Sequence, residues 1–78
     1  MSPTVLVTGG FGYLGGRIAA AIVNQTENRV RLASRISRPA PSWLPQAQTA
    51  VLDVLQPASL AAALDGVRAV VHLAAVNE

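Results

Sequence analysis

The chain has 78 residues, 51% of them hydrophobic, and a net charge of +2 set by six arginines against four acids. That length makes one small domain, residues 1–78, burying only roughly 60% of the surface its unfolded chain exposes, and with no cysteine it has neither a disulfide framework nor a thiolate metal site to add stability. No stretch approaches the roughly 20 apolar residues of a membrane span, and the N-terminus lacks the basic region and small-residue cleavage site of a signal peptide.

The arginines are scattered singly, which favours small anionic ligands over a nucleic-acid groove with its clustered charge and interleaved aromatics. The expectation is a soluble, cytoplasmic, unprocessed protein with neither nucleic acid nor membrane as a partner.

Thr4-Val5-Leu6-Val7-Thr8 is a short β-branched apolar run closed by Gly9, the pattern of a buried parallel strand. After the glycines, Leu14, Ile18, Ala21 and Ile22 recur at helical spacing and predict a buried face, with Arg17, Ala20 and Asn24 opposite. The helix should fade between Asn24 and Asn28, where short polar residues favour a turn. Arg29 to Ala33 predicts a second strand, with Arg31 between Val30 and Leu32 placing it nearer a sheet edge. From Arg35 to Gln48, Pro39, Pro41 and Pro45 exclude a continuous helix and leave an irregular loop with Trp43 and Leu44 as anchors. Thr49 to Asp53 predicts the third strand. Pro57 suits the first turn of a helix running through Ala58 to Leu64, which Asp65-Gly66 stops. Val67 to Leu73 predicts a fourth strand with Val70 and Val71 in its interior. With right-handed crossovers this order gives an α/β fold, a parallel sheet of about four strands with one helix on each face if the fourth strand returns beside the first.

The segment Gly9-Gly10-Phe11-Gly12-Tyr13-Leu14-Gly15 joins the first strand to the first helix. A phosphate needs unblocked backbone N–H groups and the positive end of a helix, and both occur where a strand turns sharply into a helix. Gly9 permits the tight exit from the strand, Gly12 lets a pyrophosphate approach the backbone, and Gly15 lets the helix pack closely on the sheet. Glycines serving only a tight turn and close packing are the alternative.

The spacing Thr8-Gly9-x-x-Gly12-x-x-Gly15 resembles the fingerprint of the short-chain dehydrogenase/reductase superfamily, above all its extended branch of NAD-dependent epimerases and dehydratases. Asp53-Val54 lies where that family places an acid and an apolar residue beside the adenine. Pro57-Ala58-Ser59-Leu60 through Gly66-Val67 resembles its next helix, and Val71-His72-Leu73-Ala74-Ala75 its fourth-strand ending, where small residues lie against the cofactor. The resemblance covers nearly the whole chain and implies the N-terminal, cofactor-binding portion of a Rossmann-type fold, incomplete at about four strands and two helices. It also implies a tyrosine and lysine acid/base pair later in the family's chains. Here Tyr13 is the one tyrosine and there is no lysine, so no catalytic residue is assigned. Tyr13 and Arg17, four apart, do not replace the pair, because arginine stays protonated and differs in shape.

Dinucleotide-binding turns usually have an acid about 20 positions beyond the glycines, bonded to the adenosine ribose. Ser34, 19 positions after Gly15, stands there instead. Arg35 and Arg38 follow as charge-assisted donors for a phosphate. The expected cofactor is therefore NADP(H), with NAD(H) as the alternative and solvated loop arginines as the bland reading. Asp53 reads equally as a loop cap. His72, a lone imidazole in an apolar strand, reads as a satisfied core histidine, and nothing supports a metal site. A second hypothesis is a stand-alone nucleotide-binding module, or a redox-cofactor sensor, with two copies pairing through the edge of the fourth strand.

Overall fold

The computed structural model describes residues 3–53 and 55–73. Five β-branched or leucine side chains in a row form β1 (Thr4–Thr8), buried throughout. The glycine turn leads into α1 (Tyr13–Gln25). Thr26 closes that helix, its hydroxyl donating to the Ile22 carbonyl at 2.6 Å and accepting from the Asn28 amide at 3.1 Å. There follow β2 (Arg29–Ser34), β3 (Gln48–Val51), α2 (Pro57–Leu64) and β4 (Val67–His72). The four strands form one sheet in the order β3-β2-β1-β4, every pair parallel. The chain thus steps outward from β1 through β2 to β3 and then returns across the sheet to β4.

Alternation along β1 and β2 divides the core into two layers. Val5, Val7, Val30 and Leu32 face α1 and meet Ala19, with Ile22 and Val23 beside it. Leu6 and Ala33 face the other way and meet Ala63 of α2. The reversal from outward to returning connection puts the two helices on opposite faces. Residues 35–47, which link β2 to β3, contain no helix, as their prolines require. Leu44 from this loop is buried in the α1 layer, and Trp43 lies half exposed against α1. Among the described residues, no helix is long and apolar enough to cross a membrane.

Several expectations need correction. The buried face of α1 is Gly15, Gly16 and Ala19 rather than a stripe through Leu14, which is 59% exposed. The helix starts so close to the glycine turn that only residues with little or no side chain fit between helix and sheet. The third strand ends at Val51, two residues before Asp53, because the Leu52 amide still bonds the Ser34 carbonyl but Asp53 turns into a loop. Arg31 marks no edge: β2 is internal, and its guanidinium reaches under α2, donating to the carbonyls of Ala63 at 2.7 Å and Asp65 at 2.8 Å, with Nε donating to Gln48 Oε1 at 3.0 Å. A cation there satisfies the last carbonyls of α2 and opposes its dipole. Val70 lies in the interior of strand β4 as expected, but it is 48% exposed on the α2 face. α2 packs on β3, and β4, an edge strand among the described residues, meets that layer of the core through Val67 while Val70 stays largely uncovered.

Candidate functional site

The glycine turn is built by conformation at one end and by close approach at the other. Gly9 adopts a φ of 69°, a left-handed geometry open to glycine at little cost, and its carbonyl accepts the Gly12 amide at 3.1 Å. Gly15 sits directly over that reversal. A Cβ there would overlap the Gly9 carbonyl oxygen and lie 2.7 Å from the Gly9 carbonyl carbon and 2.9 Å from Gly10 Cα. The packing role inferred for Gly15 is therefore literal, with backbone resting on backbone.

Gly12 is the N-cap of α1 and offers no side-chain hydrogen bond to the helix. The Gly16 amide donates to the Gly12 carbonyl at 2.8 Å and begins the intrahelical ladder, so the amides of Tyr13, Leu14 and Gly15 precede it. No acid lies in the first turn to neutralise the positive helix end. Bare glycine backbone, uncapped amides and the helix dipole together fit a diphosphate. Between Gly9 and Gly12 the only side chain is that of Phe11.

The neighbouring strand end lies beside this turn, since Thr8 is in register with Ala33 and Ser34 and Arg35 follow immediately. Ser34 is half-buried, and its hydroxyl accepts the Ile36 amide at 3.4 Å. Arg35 and Arg38 are exposed. Arg38, four residues out along the proline loop, folds back so that its guanidinium carbon stands 5.2 Å from the centre of the Phe11 ring. On α1, the Arg17 guanidinium stands 5.5 Å from the Tyr13 ring, and Tyr13 itself points into solvent. Trp43 borders a cleft of about 300 Å³ against Tyr13, Arg17 and Ala20, with Phe11 at its head. The three aromatic residues of the chain thus gather around the turn.

On the other side of β1, Thr8 ties β4 to the turn. Its buried hydroxyl accepts the Leu73 amide at 2.9 Å and lies 2.7 Å from His72 Nδ1. The same hydroxyl donates to the Val71 carbonyl at 3.5 Å. His72 is satisfied as expected, but at an exposed strand end rather than in the core. Asp53 Oδ1 accepts the Leu55 amide at 3.0 Å, while its own amide donates to Ser59 Oγ at 3.0 Å. The carboxylate therefore has the loop-capping geometry. Val54, Ala74 and Ala75 lie outside the described residues.

The structure brings Gly9, Gly12, Tyr13, Leu14, Gly15, Ser34, Arg35, Arg38 and Leu73 to one end of the sheet, at the carboxyl ends of the strands where β1 lies between the outward and returning halves of the chain. Open α/β sheets bind ligands at such a switch point. Sequence reasoning missed Thr8 as the tie between β1 and β4, although a hydroxyl closing an otherwise apolar strand was visible. It also missed Phe11 as the contact of Arg38, which no spacing rule encodes.

The fold and the turn define a Rossmann-type nucleotide-binding unit. The model of the NAD dependent epimerase/dehydratase family matches residues 5–78, and the chain belongs to that family. No curated protein is recognisably similar by sequence. Among solved structures, the UDP-N-acetylglucosamine 4-epimerase of Bacillus cereus is 31% identical, with a TM-score of 0.75 over 99% of this chain and 24% of its own. The vestitone reductase of alfalfa is 28% identical, with a TM-score of 0.73 over 94% of this chain and 25% of its own. A uronate dehydrogenase of Agrobacterium tumefaciens, in complex with NAD, is 25% identical, with a TM-score of 0.72 over 94% of this chain and 26% of its own. The chain spans about a quarter of the length of the solved structures it matches.

Proposed function

We propose that this chain is the cofactor-binding portion of an oxidoreductase or epimerase/dehydratase of the extended short-chain type, and that it takes NADP(H) in preference to NAD(H). The observation that carries the preference is the end of β2, where Ser34, Arg35 and Arg38 stand in place of a carboxylate and Arg38 is folded back over the glycine turn. In this reading the amides of Tyr13 and Leu14 hold the pyrophosphate, with Gly9, Gly12 and Gly15 keeping the approach clear. Ser34 takes the ribose, Arg35 and Arg38 take its 2′-phosphate, and Asp53, Val54, Leu73, Ala74 and Ala75 border the rest of the cofactor. When bound, the nicotinamide gives or accepts hydride. The residues of this chain bind and orient the cofactor, and none supplies an acid/base pair.

The test is titration with NADPH and NADH, followed by the fluorescence of Trp43 beside the turn. Charge-assisted bonds to one added phosphate predict roughly tenfold or more tighter NADPH binding, with an advantage that shrinks as salt is raised. Equal or tighter NADH binding, or an unchanged NADPH affinity in Arg35→Ala, refutes the preference. Sedimentation of the same samples tests the alternative of a pairing module. The open edge and half-exposed Val70 of β4 favour that alternative, and a stable homodimer would support it.

A further inference from the structure

We infer that Phe11 sets the cofactor selectivity of the site by serving as a shelf that holds Arg38 beside the glycine turn, ready for a ribose phosphate monoester. The inference rests on the NADP(H) reading above. Arg38 belongs to a helix-free loop, is exposed, and pairs with no carboxylate among the described residues. Its contact is the Phe11 ring, 5.2 Å from guanidinium carbon to ring centre. An arginine free in solvent loses rotamer freedom when it closes on a phosphate. One already held over an aromatic ring has lost part of that freedom before the ligand arrives.

The turn leaves Phe11 alone in this role. Gly9, Gly10 and Gly12 carry no side chain, and Gly10 has no room for one, because a Cβ there would lie 2.7 Å from Leu32 Cδ2 and 3.1 Å from the Val7 carbonyl oxygen. Phe11 is itself half-buried and packs against the α1 layer of the core, so the shelf is anchored to the scaffold while Arg38 is not. Arg35 has no such support and contributes charge without a fixed direction. Phe11 is therefore a positioning residue whose effect passes through Arg38 and applies only to a ligand bearing the extra phosphate.

The experiment measures dissociation constants for NADPH and NADH in the full chain and in Phe11→Leu, Phe11→Tyr, Arg38→Ala and the Phe11→Leu/Arg38→Ala double variant, with urea unfolding of each. Leucine keeps an apolar plug in the core but removes the π face, and tyrosine keeps the face. An exposed cation–π contact corresponds to about a two- to fivefold loss of NADPH affinity in Phe11→Leu. NADH affinity should be unchanged, Phe11→Tyr should retain selectivity, and Arg38→Ala should cost less in the Phe11→Leu background than alone. Equal loss of both cofactors in Phe11→Leu, or additive losses in the double variant, overturns the role of Phe11 while leaving the NADP(H) preference standing. A wild-type chain that does not prefer NADPH overturns both.

Discussion

Replacing Gly15 by alanine puts the close approach of α1 to its own turn to a direct test. The added methyl would meet the Gly9 carbonyl oxygen, with the Gly9 carbonyl carbon at 2.7 Å and Gly10 Cα at 2.9 Å. All three are backbone atoms of a turn already fixed by the Gly9 conformation and the Gly12 to Gly9 hydrogen bond. They cannot rotate aside, so the helix must lift or the turn must open. Overpacking of this kind costs about 3 kcal/mol at the upper end of its range, and the better helix propensity of alanine returns about 1 kcal/mol. The net loss is about 2 kcal/mol, against a total stability of about 4–12 kcal/mol for a domain of this length. Gly16→Ala is the matched control, because its Cβ would lie 2.8 Å from Cη2 of Trp43, the tip of a half-exposed indole. That ring can swing away, so the control should change Trp43 emission and leave stability within about 1 kcal/mol. Urea unfolding at constant slope reads both. A Gly15→Ala midpoint at or above wild type would refute the account of Gly15 as a backbone contact.

Two further variants probe the ties that hold the site's frame. Arg31→Met removes three donors, two of them to the last carbonyls of α2, and should cost about 1–3 kcal/mol while speeding amide exchange in α2. Unchanged exchange in α2 would deny Arg31 its capping role. Thr8→Val keeps the β-branched shape but removes the acceptor for the Leu73 amide and the partner of His72. It should cost about 1–2 kcal/mol and raise exchange at Leu73 without affecting Val5 to Val7, with Thr8→Ser restoring most of the loss. Uniform loosening of β1 would show instead that the hydroxyl merely fills space.

The elements that define the site were legible because their signals are local. An unbroken β-branched run, a glycine cluster followed by helical spacing, a proline-filled loop and a Pro57 start each depend on neighbouring residues, and each fell within a residue or two of its observed position. The resemblance to the extended short-chain family rested on the same local spacing. Contacts between segments distant in sequence were not legible. Hydropathy alone aimed α1 through Leu14, whereas the distance from turn to sheet selected Gly15, Gly16 and Ala19.

By itself, then, the sequence determined the order of elements, the parallel sheet and the place where a helix N-terminus meets bare glycine backbone, since backbone conformation and side-chain period are properties of short stretches. Only the tertiary structure decided that Arg31 caps a helix 32 residues away, that Thr8 fastens β4 across 65 residues, and that Arg38 returns to lie on Phe11. Those pairings depend on strand order and loop path, through which side chains far apart along the chain come within a few ångströms of one another.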